Sequence, residues 1–404
     1  MLAAVKPPES ANCSNDPINQ KYVNTLLVER TNLERRLKLN KACTDQGTPQ
    51  HTNLDPTKIQ ETVWVETKHS IFYCAITKVG SAFWRRTLSI MASEKNFSSP
   101  FDISQGFFKL EQFINIKNSF NEKELESFLK GVTSFMFVRD PYGRLFSGYI
   151  NKIYDTNPAF WGRYGTKAVQ LFRKNPSEVS LKYGHDVTFA EFVKFILLRK
   201  EQNESIDRHF APMHEKCNPC GHPYDYIGHI ETFRQDTEYL FDQWRNKFTD
   251  FKIHFDDFEK ETVLDTAGLL IRRMFSFYTK NKRNFKYPLY NLVLRAWCDL
   301  QIRGYLSKDI PLPYTKHDVE NLTAAKMLEA VSAALEIKVN QTAVKLQRRE
   351  SLQQAYSTVS LEDMERLREY VLKDCQLFSY DDRPKLLFDR SNMLETKHFY
   401  LAGI

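Results

Sequence analysis

The stretch IFYCAITKVGSAFWRR, Ile71 to Arg86, starts as an apolar run of strand type, breaks at Gly80 and resumes as a basic, aromatic segment of helix type. A strand that ends in Lys78-Val79-Gly80-Ser81 and turns into a helix brings backbone N–H groups, the positive end of a helix dipole and an ammonium group to one point. That combination holds a phosphate or a similar anion. Lys78 precedes Gly80 by two positions, so the turn lacks the G-x-x-x-x-G-K-[ST] spacing of a Walker A loop. A second stretch, TSFMFVRDPYGRLFSGYINKI from Thr133, repeats the plan: a buried strand ends in Arg139-Asp140-Pro141, with Arg144 and Ser147 following at helical spacing. Arg139 offers a planar fork and Ser147 a hydroxyl to a second phosphate. Taken alone, the first turn reads as a surface lysine between strand and helix, and the second as an arginine paired with Asp140. Together they predict one ligand with phosphates at both ends.

Histidine has the pKa to take a proton near neutral pH. Of the ten histidines, His209 in SIDRHFAP is the best placed, beside a proline-ended turn and after the second anion element; His185 and His214 are weaker rivals. The alternative role for His209 is to order its loop through Asp207. In HEKCNPCGH, the residues His214, Cys217, Cys220 and His222 could be read as four zinc ligands, but spacers of one or two residues would cramp a tetrahedral site. A local or longer-range disulfide is the favoured reading, with zinc and free thiols left open. The seven cysteines leave at least one thiol without an intrachain partner. Cys74, inside the apolar strand, is expected to be buried.

The elements that must position these groups follow from pattern. Strand-like runs at SIFYCAI and TSFMFVRD are each followed by helix-compatible sequence, the βα alternation of an α/β sheet. Further helical patterns fall at Phe189 to Arg199, Thr232 to Phe248, Asp265 to Tyr278, Ala324 to Leu335 and Leu361 to Lys373. Residues 1–60 read as a polar, stem-like leader with an amphipathic helix around NTLLVERTNLERRLKL and a turn-rich linker after it; the main domain is expected over 61–385, with a tail over 386–404.

With 404 residues and 42% hydrophobic content, the chain can bury a full core. Its net charge of +7 is spread along the sequence, with a local cluster at KNKRNFK (Lys280 to Lys286), and suits an anionic ligand. No run of five or six basic residues and no nucleic-acid module occurs, so nucleic-acid binding is not indicated. No segment reaches the ~18 apolar residues of a membrane span. The first residues, MLAAVKPPES, lack the apolar stretch of a signal peptide. Asn-x-Ser/Thr sequons at Asn12, Asn96, Asn203, Asn321 and Asn340 lean modestly toward a lumenal protein.

The two anion turns resemble those of the Golgi carbohydrate sulfotransferases of the chondroitin 4-O-, dermatan 4-O- and natural-killer-epitope group. The 5′-phosphosulfate loop of that family is similar to YCAITKVGSAFWRR, and its 3′-phosphate element to FVRDPYGRLFSGY. The likeness continues through DRHFAPMHEKCNPC, YDYIGHIET, AWCDLQIRGYL and LKDCQLFSYDDRP. The resemblance implies an α/β fold with a P-loop-like parallel sheet flanked by helices. It implies the donor 3′-phosphoadenosine 5′-phosphosulfate, no catalytic metal and a glycan acceptor, either glycosaminoglycan or N-/O-glycan. It also implies a type II anchor in the Golgi membrane, for which the apolar runs here are too short.

Carried onto this chain, Lys78 would neutralise charge on the leaving 5′-phosphate. Backbone groups over Lys78, Val79, Gly80, Ser81, Ala82, Phe83 and Trp84 would cradle that phosphate, helped by Arg85 or Arg86. Arg139 and Ser147 would bind the 3′-phosphate, and His209 would be the base. Thr77 stands where the family usually has proline, and Ala82 and Phe83 stand where hydroxyl or amide side chains are common. Those departures motivate a second reading, a lumenal glycan-binding relative without turnover. A nucleotide kinase is a third, disfavoured because no second acidic metal-binding motif is evident.

Overall fold

The computed structural model describes residues 17–47, 62–93, 97–103, 127, 129–285, 287–391 and 399–401. The strands are β1 (Val63–Glu66), β2 (Ile71–Cys74), β3 (Thr133–Val138) and β4 (Tyr226–His229), in the spatial order β1-β2-β3-β4. Strands β2, β3 and β4 run parallel, while β1 is an antiparallel edge strand facing β2 from Val63↔Cys74 to Glu66↔Ile71. The sheet is therefore mixed at one edge, where a parallel sheet was expected. Nearly every strand residue is buried, which is why the strands read as continuous apolar runs rather than as alternating patterns.

The principal helices are α1 (Pro17–Asp45), α2 (Ser81–Met91), α3 (Pro141–Tyr149), α4 (Phe189–Glu201), α5 (Phe233–Lys247), α6 (Phe258–Asn281), α7 (Leu289–Ile302), α8 (Ala324–Leu335), α9 (Gln341–Ser357) and α10 (Leu361–Phe378). Helix α2 leaves β2 and α3 leaves β3, the strand-to-helix plan read from the sequence. One core lies around the sheet, where Trp84 of α2 stacks edge-on against Phe135 of β3 and Trp244 of α5. A second core joins α3, α4 and α10, and a third joins α6, α7 and α8.

Two stretches expected to lie outside the domain are tied into it. Helix α1, within the leader, buries Leu39 and Cys43 in the sheet core. Asn32 closes a two-way bridge to the edge strand: its Nδ2 donates to Asp225 O and its Oδ1 accepts from Ile227 N, each at 3.0 Å. Arg35 pairs with Asp236 at 3.0 Å. In the tail, Leu387, Phe388 and Tyr400 are buried in the helical core, and Tyr400 donates its hydroxyl to Glu350 at 2.6 Å.

The cysteines settle into disulfides. Cys43–Cys220 fastens α1 to the loop before β4, and Cys74–Cys217 fastens the end of β2 to the same loop. Both cysteines of the zinc reading, Cys217 and Cys220, are thereby consumed. Cys298 and Cys375 are free and buried, and Cys13 lies outside the described residues. Of the sequons, Asn203, Asn321 and Asn340 are exposed, while Asn12 and Asn96 lie outside the described residues. Among the described residues, no helix is long and apolar enough to cross a membrane.

Candidate active site

The turn between β2 and α2 is built from two left-handed residues, Lys78 at φ 70° and Gly80 at φ 82°. That conformation costs a non-glycine residue on the order of 1 kcal/mol, so the fold holds Lys78 there against its own preference. Gly80 is required twice over: its φ is positive, and a Cβ would stand 2.5 Å from the Phe233 ring. Helix α2 starts at Ser81 with neither a side-chain cap nor an acidic residue in its first turn. Its leading N–H groups are thus left to whatever anion arrives.

Helical periodicity then divides the residues that follow. Phe83 turns into the core among Phe101, Phe233, Phe241, Phe255 and Phe258, and Trp84 is fully buried. Phe83 has only its backbone N–H to offer the turn, and the expectation for Trp84 is corrected, because its N–H is spent on Gly80 O at 3.2 Å. Ala82 is partly exposed. Arg85 lies over the Trp64 ring and donates to Ser81 O at 3.2 Å. Arg86 is buried and forks onto Asp265 at 2.9 and 2.8 Å, with a further bond to Ile103 O. The expectation that Arg86 could assist at the turn is therefore corrected: its fork is spent on the core side of the helix.

The turn between β3 and α3 uses ordinary capping chemistry. Asp140 accepts from Gly143 N at 2.6 Å, and Pro141 fills the first helical position. Arg139 reaches across to donate to Lys78 O at 3.4 Å, which brings the two turns side by side. Burial, with Arg348 and Arg303 close by, lowers the Arg139 pKa to about 9, against the opposing pull of Glu231 and Asp140. Ser147 lies on the same helix, partly exposed between buried neighbours.

His209 sits in the loop after α4. Its Nδ1 meets Asp207 Oδ1 at 2.6 Å, and its backbone N–H donates to the same oxygen at 3.0 Å. Burial lowers the imidazole to about 4, and Lys152 and Lys78 push in the same direction while Asp207 opposes them. The ring is neutral at physiological pH, with Nδ1–H turned to Asp207 and Nε2 left as the acceptor. Lys78 in turn is held well below the usual lysine range, first by burial and then by Arg303, Lys152 and Arg139, with Asp299 opposing. Lys78, Arg139 and His209 therefore share one electropositive neighbourhood, as the sequence expected. The rival His185 is buried under Phe285 and Tyr287, and His214 pairs with Asp374 at 2.7 Å.

Several members of that neighbourhood were not singled out from sequence. Lys152 lies where α3 widens into a π-helical turn over Ile150–Tyr154, and burial beside Arg273 lowers it to about 8. Arg303, clamped by the fully buried Asp299, comes from AWCDLQIRGYL. That segment was noted for its resemblance without a role. An acid–base pair at helical i,i+4 spacing was the available signal.

Arg144 proves to be a brace rather than a ligand. It donates to Thr77 O at 3.0 Å, Ala211 O at 2.7 Å and Arg208 O at 3.0 Å. Thr77 Oγ1 donates to the same Arg208 carbonyl at 2.8 Å. One buried guanidinium thus joins the lysine turn to the histidine loop. Gly148 lets α3 come close, since a Cβ there would stand 2.9 Å from His209 O.

Residues 61–261 match the model of the sulfotransferase family, a span that holds both turns and the histidine loop. The chain is 31% identical over 189 residues to carbohydrate sulfotransferase 11 of Rattus norvegicus, covering 46% of this chain and 53% of that one. It is 28% identical over 269 residues to carbohydrate sulfotransferase 9 of Homo sapiens, covering 66% and 59%. To carbohydrate sulfotransferase 11 of Danio rerio it is 29% identical over 248 residues, covering 59% and 67%. The chain thus spans little more than half the length of the first two of these relatives. No solved structure matches. On the family model and the paired turns, the chain belongs to the sulfotransferase family, and the relatives it matches are carbohydrate sulfotransferases.

Proposed function

We propose that the protein transfers a sulfuryl group from 3′-phosphoadenosine 5′-phosphosulfate to a sugar hydroxyl of a glycan. The observation that carries this reading is the junction at Lys78. Its carbonyl accepts from Arg139, its ammonium shares a field with His209, and the uncapped start of α2 follows three residues later. Two phosphates and an attacking hydroxyl can be served together from such an arrangement.

In the transfer, the bond from sulfur to the bridging phosphate oxygen breaks and a bond from the acceptor oxygen to sulfur forms. The hydroxyl proton goes to Nε2 of His209, and 3′-phosphoadenosine 5′-phosphate leaves. The transition state is loose, so positioning and charge stabilisation supply most of the rate. Lys78, whose charged form the arriving anion favours, neutralises the bridging oxygen. The N–H groups from Val79 to Phe83 hold the 5′-phosphate, contributing backbone only, and Arg85 adds charge; the Trp84 N–H is spent on Gly80 O at 3.2 Å and takes no part. Arg139 and Ser147 hold the 3′-phosphate. Asp207 keeps the His209 tautomer and stabilises the imidazolium as it forms.

The acceptor is a glycosaminoglycan or an N- or O-linked glycan, and the compartment is the Golgi lumen, with a type II anchor as in the family. Two disulfides and exposed sequons at Asn203, Asn321 and Asn340 support an oxidising, glycosylating compartment. The test is incubation with labelled sulfate donor and a glycan panel, with ATP in parallel. Transfer of label to glycan supports the proposal. Donor binding without transfer would instead support the glycan-binding relative, and ATP turnover a kinase.

A further inference from the structure

Helix α1 is apolar on two opposite sides. One side, through Val28, Asn32, Arg35, Leu39 and Cys43, is docked on the sheet, as described above. The other side carries Val23, Leu26, Leu33 and Leu37, which are 60%, 46%, 52% and 57% exposed, with Leu27 beside them at 61%. Placing Arg30 between Leu26 and Leu33 completes the run 23, 26, 30, 33, 37, which alternates steps of three and four. That is the a/d spacing of a coiled-coil seam. The docked residues 28, 35 and 42 take the f position, directly opposite. A helix with one packed face keeps its other face polar, as the exposed faces of surface helices do. This one presents leucines to solvent along about 21 Å of its length, at 1.5 Å per residue.

We propose that this outer face of α1 binds a second copy of the same chain, with the two α1 helices antiparallel about a two-fold axis. The flanking charges select both partner and direction. Glu29 and Arg36 occupy g positions, and Glu34 and Lys41 occupy e positions. A parallel pair would set Glu29 against Glu34 and Arg36 against Lys41, so both contacts repel. In the antiparallel pair Leu26 packs on the partner's Leu37 and Arg30 on the partner's Leu33. Glu29 then lies beside the partner's Arg36, and symmetry makes that ion pair twice. Arg30, paired with Glu34 along its own helix at 3.0 Å, lays its methylene stem on the seam and keeps its charged end in water. Glu29 is exposed and Arg36 only partly buried, and each makes one long contact inward, at 3.3 Å from Tyr239 Oη and 3.4 Å to Asp225 O. Among the described residues, neither makes an ion pair. Because the f face holds the domain, the two domains sit on opposite sides of the helix pair and do not compete for the seam.

Sedimentation velocity on the purified full chain tests this without reference to activity. The wild-type protein should sediment as a dimer at micromolar concentration. Leu26→Glu and Leu37→Glu should each give a folded monomer, whose melting temperature matches that of the wild type at dilutions where the dimer has dissociated. Glu29→Arg and Arg36→Glu should each weaken the dimer by about 10-fold, the effect of roughly 1.4 kcal/mol. The double variant, which exchanges the two charges, should regain the wild-type constant. Mixing a Leu26→Cys protein with a Leu37→Cys protein should give a cross-linked pair that Leu26→Cys alone does not. A monomer for the wild type, a dimer indifferent to Leu26→Glu, or a double charge exchange no tighter than the single changes would each overturn the proposal.

Discussion

In the proposed function the two strand-end turns do the same kind of work, and they are built by opposite means. After β2, the chain uses backbone: Lys78 and Gly80 are both left-handed, α2 begins uncapped, and the aromatic core under Phe83 and Trp84 holds the turn in shape. After β3, the chain uses side chains: Asp140 caps α3 in the usual way and Arg139 supplies a charged fork. A backbone cradle is fixed in geometry and indifferent to which phosphate enters. A guanidinium selects by reach and planarity. In the proposed function, this contrast gives general anion holding to the first turn and discrimination of the 3′-phosphate to the second.

Glycine substitutions should break the contrast most sharply. Gly80→Ala puts a methyl group at φ 82° and into the Phe233 ring, and should cost on the order of 3 kcal/mol of stability along with turnover. Gly143→Ala meets only the movable ends of Asp140 and Arg139, at 2.9 and 3.4 Å, and should leave the melting temperature within a few degrees. Denaturant titration of both variants checks the difference.

Lys78→Gly should separate stability from chemistry. Glycine takes the left-handed turn freely, so the variant should gain about 1 kcal/mol while turnover falls about 1000-fold for want of the ammonium. His209→Ala should lower turnover by about 100-fold, with donor affinity and melting temperature held. A loss explained by unfolding would remove His209 from the mechanism.

The pH profile of kcat/KM sharpens the picture more gently. His209 must be neutral, and with its pKa lowered to about 4 the rate should fall only as pH drops through that region. Lys78 must be charged, and because burial and the cations around it hold its pKa well below the usual lysine range, the rate should begin to fall at a pH well below that range. An acid limb near 6.5 in the free enzyme would point to a different base.

How much of this was legible depended on how local the cause was. Both turns, the starts of α4, α5, α8 and α10 and the pairing of Asp207 with His209 rest on neighbours within a few residues, and sequence reading found them; it began α6 at Asp265 where it starts at Phe258, and it read no helix at α7 or α9. The role offered to Arg86 ignored the helix period: Phe83, Trp84 and Leu88 set a buried face, and Arg86 points into it toward Asp265. The docking of α1 was hidden because its partners, Asp225, Ile227 and Asp236, lie far along the chain. The brace at Arg144 was hidden because its three acceptors are backbone carbonyls, which carry no side-chain signature. Disulfide pairing was left open for the reason that spacing alone does not determine connectivity.

The division of labour between the turns is tested most directly by calorimetry with 3′-phosphoadenosine 5′-phosphate and an analogue lacking the 3′-phosphate. Arg139→Ala should weaken the first ligand by roughly 2 to 4 kcal/mol, the scale for a phosphate left without its charge-assisted partner, and leave the second nearly unchanged. Equal losses for both ligands would contradict the assignment of Arg139 to the 3′-phosphate, and with it the contrast between a turn that holds and a turn that discriminates.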